Sequence, residues 1–435
     1  MVRTELIKRI KKSKFMLNSI IYTISDILNK AIPFLLLPIL TKYLTPNDYG
    51  IISLFGIFTS ILTILIGLNL NGAISVNYFK LNDRILLSSY VGNAILILFI
   101  MTIITIFFIS IGSVFFDTKI LEIPFYWLVI GVVVALSQVL IMINLTLYQT
   151  EQKAKKYVIF ELIQVIFNVV LSLILIVGYA LSWEGRLIAI SITSVFFANI
   201  SFYILYKYRK MVKFDININY IRDMLKYGVP LLPHSLAGWG KTSIDRLIII
   251  SFLGTAELGI YAIAYQMASI INLVFISFNK AWIPYLFEKL KNINSTIKND
   301  LVKFTYIYFF IIIILYIIIY YFINIVFQYF IDSSYSSAAT LVPIIMVAFL
   351  FEGMYYMVGN YILYEKKTAE ISKATLISTI IHVFLAYFTI KYYGLKGLAY
   401  TMICSYFINF VLVWYISNKV YPMPWFNLKI KDTNV

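Results

Sequence analysis

Residues 85–116 read ILLSSYVGNAILILFIMTIITIFFISIGSVFF, and none of them is charged. A run of about 20 apolar residues crosses the hydrocarbon core of a bilayer as a helix, and a helix satisfies its own backbone hydrogen bonds there. The chain contains twelve such segments, so the sequence predicts an all-α integral membrane protein. The predicted spans are 15–41, 50–79, 85–116, 123–148, 158–181, 187–206, 227–251, 259–287, 304–328, 338–363, 374–390 and 397–418.

The loops between these segments alternate in charge. Most of the 36 Lys and Arg residues lie in the two tails and in every second loop. The intervening loops carry only Lys42, Lys119, Arg186, Lys391 and Lys396. The positive-inside rule assigns basic loops to the cytoplasm. The sequence therefore predicts that both termini are cytoplasmic.

Composition excludes several function classes. The chain is 61% hydrophobic with a net charge of +16. The one-sided loop charge accounts for that excess through topology and attraction to anionic lipid headgroups, so no nucleic-acid partner is expected. No Walker P-loop, GxSxG, HExxH or CxxC pattern occurs in the sequence. We therefore expect a protein that is not an enzyme and that uses no cofactor or metal.

The two halves of the chain resemble each other. Residues 43–51, YLTPNDYGI, align without a gap on residues 252–260, FLGTAELGI. Matched Gly and acidic positions in connecting turns favour an internal repeat over chance likeness between apolar segments, and repeats of this kind are typical of transporters. The predicted organisation is an N-terminal six-helix lobe (1–206), a cytoplasmic linker (207–226), a C-terminal six-helix lobe (227–418) and a cytoplasmic tail (419–435).

Charged residues within spans are the candidate functional residues, because a charge in the bilayer usually faces a cavity or a partner. Asp26 and Lys30 are four residues apart on the first span, and Lys241 and Asp245 are four apart on the seventh. That spacing places each pair on one helix face. Each pair is either a neutralised ion pair between helices or part of a wet cavity, and we favour the cavity.

The predicted cationic cavity for an anionic substrate consists of Lys30, Lys241, Arg246 and Lys280. Asp26, Asp245 and Glu352 are the candidates for coupling to a proton or a cation. We expect Glu161 to be structural because it lies near the cytoplasmic end of its span. His234 and His382 are also expected to be structural, since neither has a metal-like partner in sequence.

Two stretches resemble a known family. Residues 225–270, LKYGVPLLPHSLAGWGKTSIDRLIIISFLGTAELGIYAIAYQMASI, resemble the start of the second half of bacterial polysaccharide-export flippases. Residues 35–58, LLLPILTKYLTPNDYGIISLFGIF, resemble the opening half of the same proteins. They are the O-antigen-type translocases of the multidrug/oligosaccharidyl-lipid/polysaccharide exporter superfamily, and twelve spans favour the O-antigen or capsule branch.

The resemblance implies a V-shaped exporter of the bacterial cytoplasmic (inner) membrane with two pseudo-symmetric six-helix halves. It would flip undecaprenyl-diphosphate-linked oligosaccharide, an O-antigen or capsule repeat unit used in lipopolysaccharide or capsule synthesis, by alternating access. The four basic residues would bind the diphosphate, while Asn69, Asn71 and Asn279 would contact the glycan. Implied partners are the lipid-linked substrate, membrane lipids, and a polysaccharide polymerase with its chain-length machinery.

Three other functions stay open at this stage. A multidrug/cation antiporter of the same superfamily would share the fold, but its cavity should be net acidic. A polysaccharide polymerase would need a large external loop, which the sequence lacks. A membrane-embedded assembly scaffold is consistent with the same pattern of spans.

Overall fold

The computed structural model describes residues 21, 28–29, 31–32, 34–81, 83–115, 123–291 and 293–426, and within these ranges it contains helices and no β-strand. The helices are α1 (Phe34–Tyr43), α2 (Pro46–Gly67), α3 (Leu70–Lys80), α4 (Arg84–Phe115), α5 (Phe125–Thr150), α6 (Ala154–Leu173), α7 (Trp183–Tyr203), α8 (Ile218–Gly228), α9 (Leu232–Leu253), α10 (Thr255–Lys291), α11 (Ser295–Tyr329), α12 (Ser336–Tyr364) and α13 (Thr368–Val420). A π-helical turn follows α6 at Ile174–Gly178, and another follows α7 at Ile204–Tyr208.

Membrane-crossing helices dominate the fold. In the described ranges, nine helices are long and apolar enough to cross a bilayer, counting α2 and α3 together as Pro46–Lys80 and α13 as one helix. The nine do not include α9, which carries Lys241, Asp245 and Arg246, or the shorter α1. The chain is therefore a multi-pass membrane protein.

Two backbone breaks interrupt long apolar stretches. Leu68 and Asn69 have φ values of 43° and 53° and separate α2 from α3. Asn tolerates this left-handed conformation better than most residues because its short polar side chain bonds locally. Gly394, with φ 57° and ψ −144°, interrupts α13, and only glycine adopts such a conformation readily.

The two sequence segments that align with each other begin helices at equivalent residues. The first segment starts α2 at Pro46, capped by Thr45 and Asp48, whose side chains each bond the backbone N–H of the other. The second segment starts α10 at Thr255, directly after Gly254 at φ 87°. Helix initiation thus follows the aligned turn sequences.

The chain forms two compact units, unit 1 (Met1–Ile244) and unit 2 (Asp245–Val435), and the boundary lies within α9. The segment 207–226, predicted to be a linker between lobes, packs onto unit 1. Met211, Val212 and Met224 are buried in the hydrophobic core of that unit.

The same segment is also held by polar contacts. Asn93 is fully buried, donates to the carbonyl of Asp215 at 2.7 Å and accepts from the backbone N–H of Asn217 at 3.0 Å. A Cβ placed on Gly92 would lie 2.0 Å from the Lys213 carbonyl oxygen. Only glycine lets α4 approach this backbone so closely.

An ion pair joins the start of the 207–226 segment to the residue that follows α5. The buried Arg209 guanidinium lies 2.5 Å from the Glu151 carboxylate, just after α5, and 4.9 Å from the Tyr148 ring centroid. Lys153 is 2.8 Å from the same carboxylate. Burial raises the pKa of Glu151, but Lys153 and Arg209 outweigh burial and hold that pKa below its ordinary value of 4.5.

Candidate functional site

Helix α6 carries a polar stripe along an otherwise apolar span. Tyr157, Glu161, Gln164 and Asn168 follow one another at intervals of four, three and four residues. Residues at this spacing share one face of an α-helix. The stripe gives unit 1 a column of hydrogen-bonding groups inside the membrane-crossing part of the chain.

Three residues of this stripe, Tyr157, Glu161 and Gln164, line a polar cavity of about 440 Å³ within unit 1. Glu161 accepts a hydrogen bond from Asn29 Nδ2 at 2.7 Å, and Gln138 accepts one from Thr63 at 3.0 Å. Both partners fix these side chains at the cavity wall. The polar lining residues are Asn71, Gln138, Thr146, Gln149, Tyr157, Glu161 and Gln164.

A second cavity of about 220 Å³ in unit 1 shares two lining residues with the first, Gln138 and Gln164. Its other polar lining residues are Asn168, Arg186, Thr193 and Ser194. Because the same two glutamines border both spaces, the cavities adjoin and differ in charge. The larger one contains the carboxylate of Glu161, and the smaller one contains the guanidinium of Arg186.

Arg186 is the fourth residue of α7 and is partly buried. Its Nη1 donates to Asn168 Oδ1 at 2.8 Å and to Ser172 Oγ. Both acceptors are neutral, and no carboxylate among the described residues lies within ion-pairing distance of the guanidinium. The positive charge of Arg186 therefore faces the smaller cavity without a described acidic partner.

Unit 2 contains a buried carboxylate network. His382 Nε2 lies 2.5 Å from Asp245 Oδ1, and Tyr261 donates to Asp245 Oδ2 at 3.0 Å. The other ring nitrogen of His382 is 2.9 Å from Ser405 Oγ. Both Asp245 and His382 are buried. These contacts join α9, α10 and α13 around a single buried carboxylate.

Two further predicted residues of unit 2 lie near tyrosine side chains. The Arg246 guanidinium is 5.2 Å from the Tyr265 ring centroid, within the range of a cation–π contact. Glu352, on α12, lies close enough to Tyr265 and Tyr356 to interact with both electrostatically. Unit 2 thus brings together Asp245, Arg246 and Glu352.

No described contact links the remaining charged candidates, Asp26, Lys30, Lys241 and Lys280, to Asp245, Arg246 or Glu352. Asp26 and Lys30 lie outside the described residues. Lys241 is on α9, but its side chain is outside the described part. Lys280 is exposed on α10. Their predicted role in binding a diphosphate stays a prediction.

The three asparagines predicted to contact glycan have different surroundings. Asn71 lines the larger cavity of unit 1. Asn69 lies at the break between α2 and α3, where its Oδ1 accepts from Ser235 at 3.2 Å. Asn279 Oδ1 accepts from Asn360 Nδ2 at 2.8 Å, which links α10 to α12.

Sequence reasoning did not single out Arg186 or the glutamines as cavity-lining residues, and it did not find the partner of His382. Arg186 was assigned to an external loop, whereas it lies within α7 and lines a cavity. The polar spacing on α6 would have revealed Glu161, Gln164 and Asn168 as one face. His382 was expected to be structural, and only the fold discloses its contact with Asp245. Among the described residues, no group of three or more His, Cys, Asp or Glu could hold a metal ion.

Similar proteins point to one family. Residues 15–290 match the model of a family described as polysaccharide biosynthesis protein. A Haemophilus influenzae protein described as an uncharacterized membrane protein is 28% identical over 370 residues, 84% of this chain and 88% of that protein. Another from the same organism, described as Lsg locus putative protein 1, is 25% identical over 406 residues, 93% of this chain and 98% of that protein.

Solved structures share the fold. An inward-facing multidrug resistance MATE family transporter of the MOP superfamily matches with a TM-score of 0.71 at 15% identity, over 90% of this chain and 94% of that one. A MATE structure in complex with MaD3S matches with a TM-score of 0.61 at 16% identity, over 94% and 95% of the two chains. The all-helical fold is therefore of the MATE type.

Proposed function

The chain belongs to the polysaccharide biosynthesis protein family, and from that membership we propose that it flips undecaprenyl-diphosphate-linked oligosaccharide across the cytoplasmic membrane. The cargo would be an O-antigen or capsule repeat unit. The family and the MATE-type fold support a membrane exporter rather than a catalytic enzyme.

The polar cavity of unit 1 is the observation that carries this proposal. Most of a membrane-crossing bundle is apolar, yet here Gln138, Gln149 and Gln164 line one space of about 440 Å³. An amide both donates and accepts hydrogen bonds. Such groups match the hydroxyls of a sugar, which an apolar route would leave without partners at a cost of several kcal/mol.

The proposed topology has twelve spans in two six-helix halves with both termini in the cytoplasm. Gly394 divides α13 into two stretches, which supports two spans there. α9 is 22 residues long, enough to cross the bilayer despite its charges. The helix starts at Pro46 and Thr255 support a repeat, and such a repeat supports alternating access.

In the proposed mechanism, Lys30, Lys241, Arg246 and Lys280 attract the lipid diphosphate by charge-assisted hydrogen bonds. Coupling to a proton or a cation would use the carboxylates of unit 2, which are the buried Asp245 in contact with His382 and the partly buried Glu352, or Asp26 in the first span. The expected partners are the lipid-linked oligosaccharide, membrane lipids, and a polymerase with its chain-length machinery.

Export of lipid-linked glycan in cells that lack their own flippase tests this function. We expect the chain to restore surface polysaccharide, and expect Lys30→Ala, Lys241→Ala and Lys280→Ala to reduce it at matched expression. Lys391→Ala, which removes an exposed lysine outside the predicted cavity, is the matched control. Absence of rescue with every glycan, together with protection against cationic drugs, would assign the chain to drug/cation antiport.

A further inference from the structure

The smaller cavity of unit 1 is built around one cation. Arg186 lies in the membrane-crossing stretch Trp183–Tyr208, where a charge costs a few kcal/mol on insertion scales and normally faces a cavity or a partner. It also occupies the first turns of α7, where the helix dipole disfavours a cation. Desolvation and the helix dipole both oppose an arginine at this position, so its presence points to a role other than local stability.

The guanidinium has hydrogen-bonding capacity left over. Arginine carries five N–H donors in a planar fork. The described protein acceptors are the Asn168 amide oxygen and the Ser172 hydroxyl, and both bond Nη1. These contacts hold the side chain in place while Nη2 and Nε retain their donors. A planar fork with free donors is the geometry that binds a carboxylate bidentately.

The neighbouring groups fit a sugar ring. Gln138, Gln164 and Thr193 line the same cavity of about 220 Å³ and offer neutral donors and acceptors. Gln138 and Gln164 also line the larger cavity, which has room for further sugar units. A hydroxyl-rich ring with one carboxylate would satisfy both the amides and the cation.

We propose that Arg186 forms a subsite for an acidic sugar, so that the cargo carries a uronic-acid-type carboxylate bound in unit 1. This inference rests on the proposed function for the identity of the cargo. The charge at the subsite favours a sugar carboxylate over the lipid diphosphate, since a single guanidinium matches one negative charge. A diphosphate carries more charge, and no second described cation lines this cavity.

Binding can be measured without transport. The purified full-length chain is unfolded thermally with sodium glucuronate, with glucose, and with inorganic phosphate or pyrophosphate at matched ionic strength. We expect glucuronate to raise Tm by about 2 °C and glucose to leave it unchanged. Arg186→Gln should abolish that rise, and Arg186→Lys should retain part of it because the charge remains but the fork is lost.

Arg222→Gln is the matched control, since it removes an exposed cation of unit 1 on α8. It should keep the full response to glucuronate. Comparing Tm without ligand establishes that each variant is folded. A response equal for glucuronate and pyrophosphate, or the absence of any anion response in the wild-type chain, would overturn the acidic-sugar assignment.

Transport provides the second arm. Two lipid-linked glycans that differ only in one sugar, a uronic acid or the corresponding neutral hexose, are supplied to cells that lack their own flippase. Arg186→Gln should lower export of the acidic glycan about tenfold and that of the neutral glycan less than about twofold. Equal loss for both glycans contradicts the subsite. If the wild-type chain exports neither glycan, the proposed function is wrong. The thermal unfolding measurements with glucuronate then test by themselves whether Arg186 binds a carboxylate.

Discussion

His382 and Asp245 are 137 residues apart in the chain, yet His382 Nε2 lies 2.5 Å from Asp245 Oδ1. Ser405 bonds the far ring nitrogen of His382, and Tyr261 bonds the second carboxylate oxygen of Asp245. The contact therefore ties α9, α10 and α13 together within unit 2. Four polar groups satisfy one another in a buried place, which makes the removal of any one of them costly.

We predict that His382→Ala and Asp245→Asn each lower the free energy of unfolding by about 3 kcal/mol. Removing one partner of a buried pair leaves the other without compensation. Thermal unfolding of the purified chain measures this loss, and the double variant should be less destabilised than the sum of the two single variants. His234→Ala, at an exposed position of α9, is the control. Strict additivity would show that the pair does not interact.

Gly92→Ala should destabilise unit 1 by about 1–3 kcal/mol, because the new methyl group would meet the Lys213 carbonyl at 2.0 Å and force backbone apart. Gly56 is the contrasting position, since it lies within α2 with nothing within 4 Å of its Cβ site. Gly56→Ala should be neutral or stabilising by about 0.5–1 kcal/mol. Equal Tm values for the two variants would contradict the close seating of the 207–226 segment.

Glu151 should give unit 1 a pH-dependent stability. Its pKa is lowered in the folded chain by Lys153 and Arg209 despite burial. A lowered carboxyl pKa contributes stability that is present above the unfolded-state pKa and is lost as pH falls through the folded-state pKa. The Tm difference between wild type and Glu151→Gln should therefore be constant above about pH 6 and shrink below about pH 4.5. A difference that stays constant down to pH 3.5 would contradict the role of this ion pair.

The sequence predicted the family correctly, because residues 35–58 and 225–270 combine turn glycines, prolines and charges at fixed spacing, and the family match over residues 15–290 confirms it. Hydrophobic runs predicted the all-helical membrane fold, although nine helices rather than twelve in the described ranges are long and apolar enough to cross a bilayer. Hydrophobic runs could not predict which polar side chains contact each other when they are far apart in the sequence. The contact of Asp245 with His382 depends on how helices pack, and no local pattern encodes it.

Arg186 illustrates a different limit. Charge counting assigns a basic residue at the edge of an apolar run to a loop. In the structure, Ser182 caps α7, which begins at Trp183, and Arg186 is therefore already within the helix. The stripe of Tyr157, Glu161 and Gln164 could have been found from its helical period. Counting charges alone overlooks neutral amides such as Gln164, although Asn71, Gln138, Gln149 and Gln164 all line the larger cavity.

Asn279→Ala should cost about 1 kcal/mol of stability through loss of the bond from Asn360, with no glycan-specific effect on export. The reason is that the Asn279 acceptor is already engaged between α10 and α12. Asn360→Ala should give the same loss of Tm, since it removes the other half of the same bond. Export that depends on glycan type in Asn279→Ala, with unchanged Tm, would instead support the predicted glycan contact.

Asn69→Val should destabilise the chain by about 1–2 kcal/mol, whereas Asn69→Gly should be tolerated. Asn69 has φ 53° at the break between α2 and α3, and a β-branched side chain strains that left-handed conformation. Glycine adopts it freely but loses the bond from Ser235. Thermal unfolding of the two variants, with Asn71→Val as the control in regular α3, separates backbone conformation from side-chain polarity. If Asn69→Gly were as destabilised as Asn69→Val, the side-chain hydrogen bond rather than the backbone would be the reason for asparagine at this break.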